Sequence, residues 1–282
     1  MTETIYSAES ELRHPIRYLG LPSDEKLPRL RALYAGAQSC CFVSEHNRRL
    51  TEQQLGMALP QATVVRNPFL VPWTPRTDWP DDGAGLRLAC IGRLFTMEKG
   101  QDLLLRVMAR DKWRNRPLFV TIYGKGANRE GLEGMAAFLG LTKVSFGGFV
   151  SDIAEVWRQH HGLILPSRCE GLPLVVVEAM LSCRVPIVTD VGGSREVVDD
   201  GATGFIASAP TEAALDEAME RAWQRRDEWR ALGAAASDRI RMLVPPDPAA
   251  VLAIMLHGLA ERGAGVHSPR RTVDQRVTTE GN

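Results

Sequence analysis

Short β-rich runs that alternate with helical patterns are the feature that most restricts the fold of this chain. From about residue 86 to residue 207, six such runs are separated by helical segments. The runs are continuously apolar, as expected of strands that are buried on both faces. Strict alternation of strands and helices predicts an α/β fold, with one complete doubly wound parallel sheet in a Rossmann-like domain.

The boundaries of these elements follow from the hydrophobic periods and from the turn residues between them. The predicted strands are 86–92, 118–124, 143–148, 162–167, 185–190 and 203–207, and the predicted helices are 99–113, 128–139, 151–159, 173–182, 193–199 and 210–229. Thr211 is placed as the N-cap of the last of these helices.

The chain before residue 67 predicts only part of a second α/β domain. Residues 38–68 give strand, helix and strand, whereas a single βαβ unit already takes about 30 residues. The predicted organisation is a partial N-terminal domain (1–66), a linker rich in Pro, Asp and Gly (67–85), a complete ligand-binding domain (86–243), a C-terminal helix (244–263) and a polar, disordered tail (264–282).

Composition limits the classes of function. The chain has 34 basic and 34 acidic side chains, so its formal net charge of zero gives no overall attraction to nucleic acid or to an anionic membrane. No apolar run approaches the roughly 20 residues that cross a bilayer, and the N-terminus is too polar for a secretory signal. The five cysteines show no paired metal spacing and predict reduced thiols. We therefore expect a cytoplasmic location.

Three loops that follow predicted strands carry residues suited to ligand binding. In open parallel sheets, ligands bind beyond the carboxyl ends of the strands. The loop 92–100 offers Arg93 and Lys99, the loop 124–131 is rich in glycine, and the third loop follows the strand 162–167. The Gly-x-Gly at 124–126 is not a dinucleotide fingerprint, because the third glycine is missing.

The third loop predicts a site for an anion. Gly171 lets the backbone approach a ligand closely, and Pro173 suits the first turn of a helix. The amides of Leu174 and Val175 would then point into the cleft, where the helix dipole favours negative charge. Together with the two cations of the loop 92–100, they make a site for a diphosphate.

Two glutamates flank this anion site. Glu178 lies about one turn into the helix and can accept hydrogen bonds from the vicinal hydroxyls of a ribose, whereas Glu170 precedes the helix and can take hydroxyls of a second sugar. This is the order of groups in a nucleotide diphosphate sugar. Each residue taken alone also fits a structural role: Glu178 as a solvated helix residue, Glu170 as a loop charge or cap, and the two cations as surface charges.

At these residues the chain resembles the C-terminal half of glycosyltransferase family 4, the retaining enzymes of GT-B fold. The resemblance covers about residues 38–262, and its most specific motif is the E-x7-E spacing in "PSRCEGLPLVVVEAM" (166–180). It implies a GT-B-like arrangement in which Arg93, Lys99 and Glu170 are catalytic. The implied donor-binding residues are Gly92, Gly124, Gly148, Phe149, Val150, Gly171, Leu172, Pro173, Leu174, Val175 and Glu178.

The resemblance also implies a mechanism and partners. Arg93 and Lys99 would stabilise the departing nucleoside diphosphate without a metal or other cofactor, and the loop 148–150 would border the base through its backbone. The acceptor hydroxyl would attack on the donor's own face, with the leaving phosphate taking the proton. The implied partners are a nucleotide-sugar donor and a glycan or lipid-linked acceptor, with no nucleic acid, and the enzyme would be cytoplasmic or peripheral at the inner membrane face.

The short first domain departs from the pattern of the family, whose members carry a full N-terminal domain. We therefore expect one of three cases. The chain is a truncated product, or a partner chain or a second copy completes its site, or it is a non-catalytic or partner-dependent module that binds nucleotide sugars. A GT-B epimerase or phosphorylase fits less well. The E-x7-E motif stands in place of an epimerase's catalytic carboxylates, and the chain has no cofactor-lysine motif of a phosphorylase.

Overall fold

Six parallel strands form the larger sheet of this chain. The computed structural model describes residues 21–74, 78–81 and 83–266, with side chains up to residue 261. The strands are β3 (Leu86–Ile91), β4 (Leu118–Tyr123), β5 (Val144–Gly148), β6 (Gly162–Leu165), β7 (Val185–Thr189) and β8 (Phe205–Ala207). They lie in the order β5-β4-β3-β6-β7-β8. The chain winds outward from β3 and then outward again from β6, which confirms the predicted doubly wound α/β fold.

The sheet is buried on both faces because alternate residues of its strands enter two different cores. Leu88 and Cys90 belong to one apolar cluster, while Ala89 between them belongs to the other. Every residue of β6 and β7 is buried. The continuous apolar runs in the sequence are therefore explained by burial on both sides.

The helices that cover the sheet agree with the predicted order but differ in length. They are α3 (Thr96–Lys99), α4 (Gln101–Met108), α5 (Asp111–Asn115), α6 (Arg129–Phe138), α7 (Ile153–Gln159), α8 (Leu174–Leu181), α9 (Ser194–Val197), α10 (Glu212–Gln224), α11 (Trp229–Leu243) and α12 (Pro248–Val266). Thr211 caps α10 as predicted, its hydroxyl accepting from the amide of Ala214 at 3.3 Å. The predicted helix 210–229 ends at Gln224, where a 3₁₀ turn leads into α11.

The predicted helix 99–113 is wrong as a single element, since it divides into α3, α4 and α5. Gly100 separates the first two with a left-handed φ of 63°. A Cβ at this position would lie 2.0 Å from the carbonyl oxygen of Pro166, so the chain turns where only glycine fits. This turn brings the end of α3 against the loop that follows β6.

The N-terminal part forms a small unit of its own. Helix α1 (Leu27–Gly36), which the sequence did not predict, precedes the predicted strand, helix and strand: β1 (Cys40–Phe42), α2 (Glu45–Leu55) and β2 (Ala62–Val64). The two strands pair in parallel in a sheet of their own. We call residues 27–66 the N-terminal unit. Its α2 begins at Ser44, whose hydroxyl accepts from the Asn47 amide at 3.1 Å.

One carboxylate of the main domain holds this unit in place. Glu196 accepts a hydrogen bond from the backbone amide of His46 at 2.8 Å and forms an ion pair with Arg66 at 3.1 Å. The amide belongs to the first turn of α2, where the helix dipole favours a negative charge. The N-terminal unit is therefore tied to α9, the short helix that follows β7.

The C-terminal helix begins later than predicted and extends to Val266, into the predicted tail; residues 267–282 lie outside the described residues. Many of its side chains are exposed to solvent, and Ile254 is 73% exposed. By length and composition alone, the described run Arg226–Glu261 contains an 18-residue stretch apolar enough to cross a membrane, and 11% of that stretch is buried. This departs from the expectation of no such run, although residues 244–247 interrupt the helix.

The close approach of the β3 and β4 loops gives a stability prediction. Gly124 has a φ of 139°, and a Cβ there would lie 1.9 Å from the carbonyl oxygen of Gly92. Gly124→Ala is expected to destabilise the fold by about 1–3 kcal/mol in urea denaturation, because it strains the backbone at this contact.

Gly134 provides the matched control, because it is an exposed residue of α6 where an added Cβ would meet no other atom within 4 Å. Gly134→Ala should stabilise the protein by about 0.5–1 kcal/mol, since alanine restricts the unfolded chain and favours the helix. Equal effects at the two positions would show that the loop contact is not constrained.

Candidate functional site

The carboxyl ends of β3, β4 and β5 are joined by backbone hydrogen bonds. The amide of Gly92 donates to Tyr123 at 3.1 Å, and that of Gly124 donates to Gly148 at 2.7 Å. The three glycines Gly92, Gly124 and Gly148, which the sequence placed at separate strand ends, therefore lie in one continuous loop surface. This surface adjoins the β6 loop at the point where the strand order reverses.

Lys99 and Glu170 form an ion pair at this reversal. The ammonium nitrogen of Lys99 lies 2.7 Å from Oε1 of Glu170, and both side chains are largely buried. The hydroxyl of Ser167 donates to the same carboxylate oxygen at 2.7 Å. The structure thus brings together two predicted site residues 71 positions apart and leaves them neutralising each other.

Arg93 lies in the same loop as Lys99. The side chain is 59% exposed and forms an ion pair with Glu98, whose own side chain is largely buried. The backbone oxygen of Arg93 accepts a hydrogen bond from the Gln101 side chain at 2.9 Å. Sequence reasoning missed Glu98. Glu98 could have been identified from its position, because it is a carboxylate between two cations, Arg93 and Lys99, in the same loop.

The β6 loop leads into α8 through buried residues. Leu172 and Pro173 are buried, and Pro173 precedes the first helical residue, Leu174, with a φ of −65°. By helix geometry, the amides of Leu174 and Val175 have no carbonyl within α8 to bond. They are half-buried donors at the start of the helix, where the dipole is positive.

The N-terminal unit closes one side of this loop. A Cβ on Gly171 would lie 2.8 Å from a methyl group of Val43, so the glycine allows the two segments to touch. The carbonyl of Gly171 accepts from the Gly193 amide at 2.6 Å. Val43 and Gly193 were not predicted to border the site, because their contact with Gly171 depends on how distant segments pack.

Glu178 lies in α8 and is only 4% exposed. Its Oε1 accepts a hydrogen bond from the backbone amide of Leu70 at 2.9 Å. Burial raises the pKa of the Glu178 carboxyl, and the hydrogen bond from Leu70 opposes that rise. The predicted linker is therefore packed against the carboxylate that the sequence assigned to a ribose.

The β5 loop adds an aromatic surface. Phe149 is 64% exposed, and the ammonium group of Lys125 lies 4.5 Å from the centre of its ring. Val150 beside it is half-buried against the core that contains α7 and α8. The sequence assigned this loop backbone contacts with the base. The structure adds an exposed ring and a cation at the same place.

Other candidate groups lie elsewhere. His160 and His161 are buried just before β6, at the amino ends of the strands and hence at the opposite edge of the sheet. Burial lowers the pKa of His160, whose Nδ1 lies 2.8 Å from the carbonyl oxygen of Val156. All five cysteines are free thiols, and Cys41 is exposed. Within the part of the chain that the structure describes, no three His, Cys, Asp or Glu side chains are grouped to hold a metal ion.

Comparison with known proteins identifies relatives. The family model described as "Glycosyl transferases group 1" matches residues 77–239, more than half of the chain. The chain is 31% identical over 140 residues to a putative glycosyltransferase, EpsD, of Bacillus subtilis. It is 30% identical over 213 residues to the GDP-mannose-dependent alpha-(1-6)-phosphatidylinositol monomannoside mannosyltransferase of Mycolicibacterium smegmatis. The alignments cover 49% and 67% of this chain but only 37% and 54% of those relatives.

Solved structures share the fold. The Anabaena protein Alr3699/HepE in complex with UDP superposes with a TM-score of 0.71 at 19% identity, covering 85% of this chain and 68% of that one. Sucrose-phosphate synthase of Thermosynechococcus elongatus gives a TM-score of 0.70 at 20% identity, covering 94% and 65%. At these identities the likeness shows the arrangement of strands and helices.

Burial of Glu178 gives a pH-dependent prediction. Glu178→Gln keeps an acceptor for the Leu70 amide but removes the charge, so we expect a higher melting temperature at neutral pH. The cost of the charged form is absent below the unfolded pKa, grows as the pH rises, and is complete above the raised folded pKa. The gain should therefore be small at about pH 4 and larger at about pH 8.

Asp238→Asn is the control for this measurement, because Asp238 is an exposed acidic residue in α11. It should change the melting temperature little at either pH. A gain for Glu178→Gln that does not depend on pH would contradict a carboxylate destabilised by burial.

Proposed function

The chain belongs to the group 1 glycosyl transferases, and on that premise we propose that it transfers a sugar from a nucleotide diphosphate sugar to an acceptor hydroxyl. The proposal is supported by the contact of Lys99 with Glu170 at the carboxyl edge where the strand order reverses, and by the exposed guanidinium of Arg93 in the same loop as Lys99. A crevice at such a reversal is the usual ligand site of an open parallel sheet.

The diphosphate would bind by replacing Glu170 as the partner of Lys99. The ammonium of Lys99 is neutralised by Glu170. A phosphate oxygen offers the same ammonium a comparable charge-assisted hydrogen bond. Once Lys99 turns to the phosphate, the Glu170 carboxylate is free to accept hydroxyls of the donor sugar. Arg93 and the amides of Leu174 and Val175 then complete the anion site.

The nucleoside would extend along the loops of β4 and β5. One oxygen of Glu178 is bonded to the Leu70 amide, and the second can accept a ribose hydroxyl. The backbone of residues 148–150 would border the base, with Gly92 and Gly124 allowing close approach. The exposed Phe149 ring and Lys125 flank this end of the crevice.

The reaction we propose retains the configuration of the donor sugar, as in glycosyltransferase family 4. The bond from the anomeric carbon to the phosphate oxygen breaks, and a bond from that carbon to the acceptor oxygen forms on the same face. The acceptor proton passes to the leaving phosphate. Arg93 and Lys99 stabilise the charge that grows on this phosphate, so we propose that transfer needs no metal ion.

Donor, acceptor and place in the cell follow from the relatives only as proposals. The Mycolicibacterium relative is named for GDP-mannose, and the Anabaena protein was solved with UDP and with UDP-glucose. These are the first donors to test. We propose a glycan or lipid-linked glycan as acceptor, and a location in the cytoplasm or at the inner face of the membrane.

A second candidate is a module that binds nucleotide sugars and turns over only with a partner. The two-stranded sheet of the N-terminal unit favours it, because two strands are marginally stable without further cover. The exposed apolar side chains of α12 also favour this candidate, because such surfaces often bind a partner. A second copy or a partner chain that completes the N-terminal unit would cover the two-stranded sheet. This candidate would be favoured if the chain bound a nucleotide sugar but released no nucleotide with any acceptor tested.

The double variant Arg93→Ala with Lys99→Ala tests the proposed transfer. We expect kcat to fall by about 100-fold or more, with a smaller loss of donor binding, because charge on the leaving phosphate is greatest in the transition state. Nucleotide release from UDP-, GDP- and ADP-sugars measures turnover, and calorimetry measures binding. Glu178→Ala should weaken binding instead.

Arg226→Ala with Arg230→Ala is the matched control, because it removes two exposed cations, one in the 3₁₀ turn before α11 and one in the first turn of α11. The neighbouring Trp229 lies against Gly162, at the opposite edge of the sheet. The control should keep wild-type turnover. If the site variant also kept it, the assignment of Arg93 and Lys99 would be wrong.

A further inference from the structure

We propose that Arg168 is a positioning residue, which holds the loop of Lys99 against the loop of Glu170 by bracing both to helix α4. The inference rests on the proposed function, since it concerns the same crevice. Arg168 lies in neither half of the E-x7-E motif and is given no role by the sequence.

The guanidinium of Arg168 spans the two loops. It forms two parallel contacts with the carboxylate of Asp102 in the first turn of α4, at 2.7 and 2.8 Å. The same group donates to the backbone oxygen of Thr96 at 2.5 Å. A fork that binds a carboxylate through both oxygens fixes orientation as well as distance. Arg168 therefore joins the β6 loop to both ends of the segment that carries Lys99.

The backbone strengthens this connection. The amides of Arg168 and Cys169 both donate to the carbonyl oxygen of Glu98, at 2.7 and 3.2 Å. Gly100 meets Pro166 on the other side, where a Cβ would have no room. Lys99 lies between these two contacts, and Glu170 follows Cys169. These contacts, together with those of the Arg168 guanidinium to Asp102 and Thr96, form what we call the brace. It fixes the backbone on both sides of Lys99 and directly before Glu170.

The Arg168–Asp102 pair is partly buried, so its geometry is better defined than that of a surface ion pair. Burial raises the pKa of Asp102, but hydrogen bonds from Arg168 and Arg106 outweigh this and hold the pKa below its ordinary value. Asp102 is therefore ionised at neutral pH and available to both arginines. The two arginines differ, because only Arg168 reaches the loops of the crevice.

The brace has a consequence for transfer. When a phosphate replaces Glu170 as the partner of Lys99, the two side chains must move while their backbones stay in place. Because the backbone is fixed, the exchange needs only rotations of the Lys99 and Glu170 side chains. Without the brace, the two loops can separate. Lys99 and Glu170 then no longer hold the phosphate and the sugar at a fixed distance from each other. Misplacement by about 1 Å can cost roughly 100-fold in rate.

The test compares Arg168→Ala with Arg106→Ala in the full chain. Arg106 contacts the same Asp102 from the outer side at 2.8 Å, so its loss removes a similar ion pair without touching the crevice loops. We expect Arg168→Ala to lower kcat by about 10-fold to 100-fold with little change in KM, using UDP-glucose and GDP-mannose as donors. Arg106→Ala should keep wild-type kcat.

A second readout does not depend on turnover. In the ligand-free protein, acetylation of Lys99 by a water-soluble reagent, followed by mass spectrometry, reports how well the ammonium is protected by Glu170. We expect faster acetylation of Lys99 in Arg168→Ala and an unchanged rate in Arg106→Ala. Asp102→Asn, which keeps the side-chain shape, replaces Arg168→Ala if that variant does not fold.

The two readouts separate the possible failures. If the wild type uses neither sugar, the proposed transfer from these donors fails, while the acetylation rates still decide whether the brace exists. If the wild type turns over and Arg168→Ala matches Arg106→Ala in kcat and in Lys99 protection, the brace is overturned. A loss of kcat with unchanged Lys99 protection would also overturn it, because the effect would then reach the site by another route.

Discussion

The site depends on the reversal of strand order between β3 and β6. Helix α4, which follows β3, packs into one apolar core, and α8, which follows β6, packs into the other. The two connections therefore leave the sheet edge toward opposite faces, and a crevice opens between them. All carboxyl ends of parallel strands meet at one edge, so residues from loops far apart in sequence are delivered to that crevice.

Charge is balanced locally within this crevice. Lys99 pairs with Glu170, Arg93 with Glu98, and Arg168 with Asp102. Partly buried cations without partners would carry a desolvation cost, so the site is stabilised by its own carboxylates. An anionic ligand can displace one of these carboxylates at little net electrostatic cost. The pair most suited to such exchange is Lys99 with Glu170, whereas Arg168 with Asp102 holds the two loops in place.

The N-terminal unit is part of the same arrangement. Glu196 holds the start of α2 and Arg66, while Val43 lies against Gly171 in the β6 loop. The linker that follows reaches Glu178 through the Leu70 amide. The N-terminal unit and the predicted ligand-binding domain thus share contacts around α8, which couples the position of the small unit to the crevice.

The sequence by itself determined the six strands and the edge at which the site residues lie. Strands buried on both faces read as continuous apolar runs, and the carboxyl-edge rule then places Arg93, Lys99 and Glu170 together. Only the tertiary structure decided that Gly100 divides a predicted helix, that Arg168 reaches Asp102, and that Leu70 bonds to Glu178. Leu70 and Glu178 are 108 residues apart. Hydrophobic periodicity records which face of an element is buried, whereas the partner of a side chain depends on which distant segment packs against it.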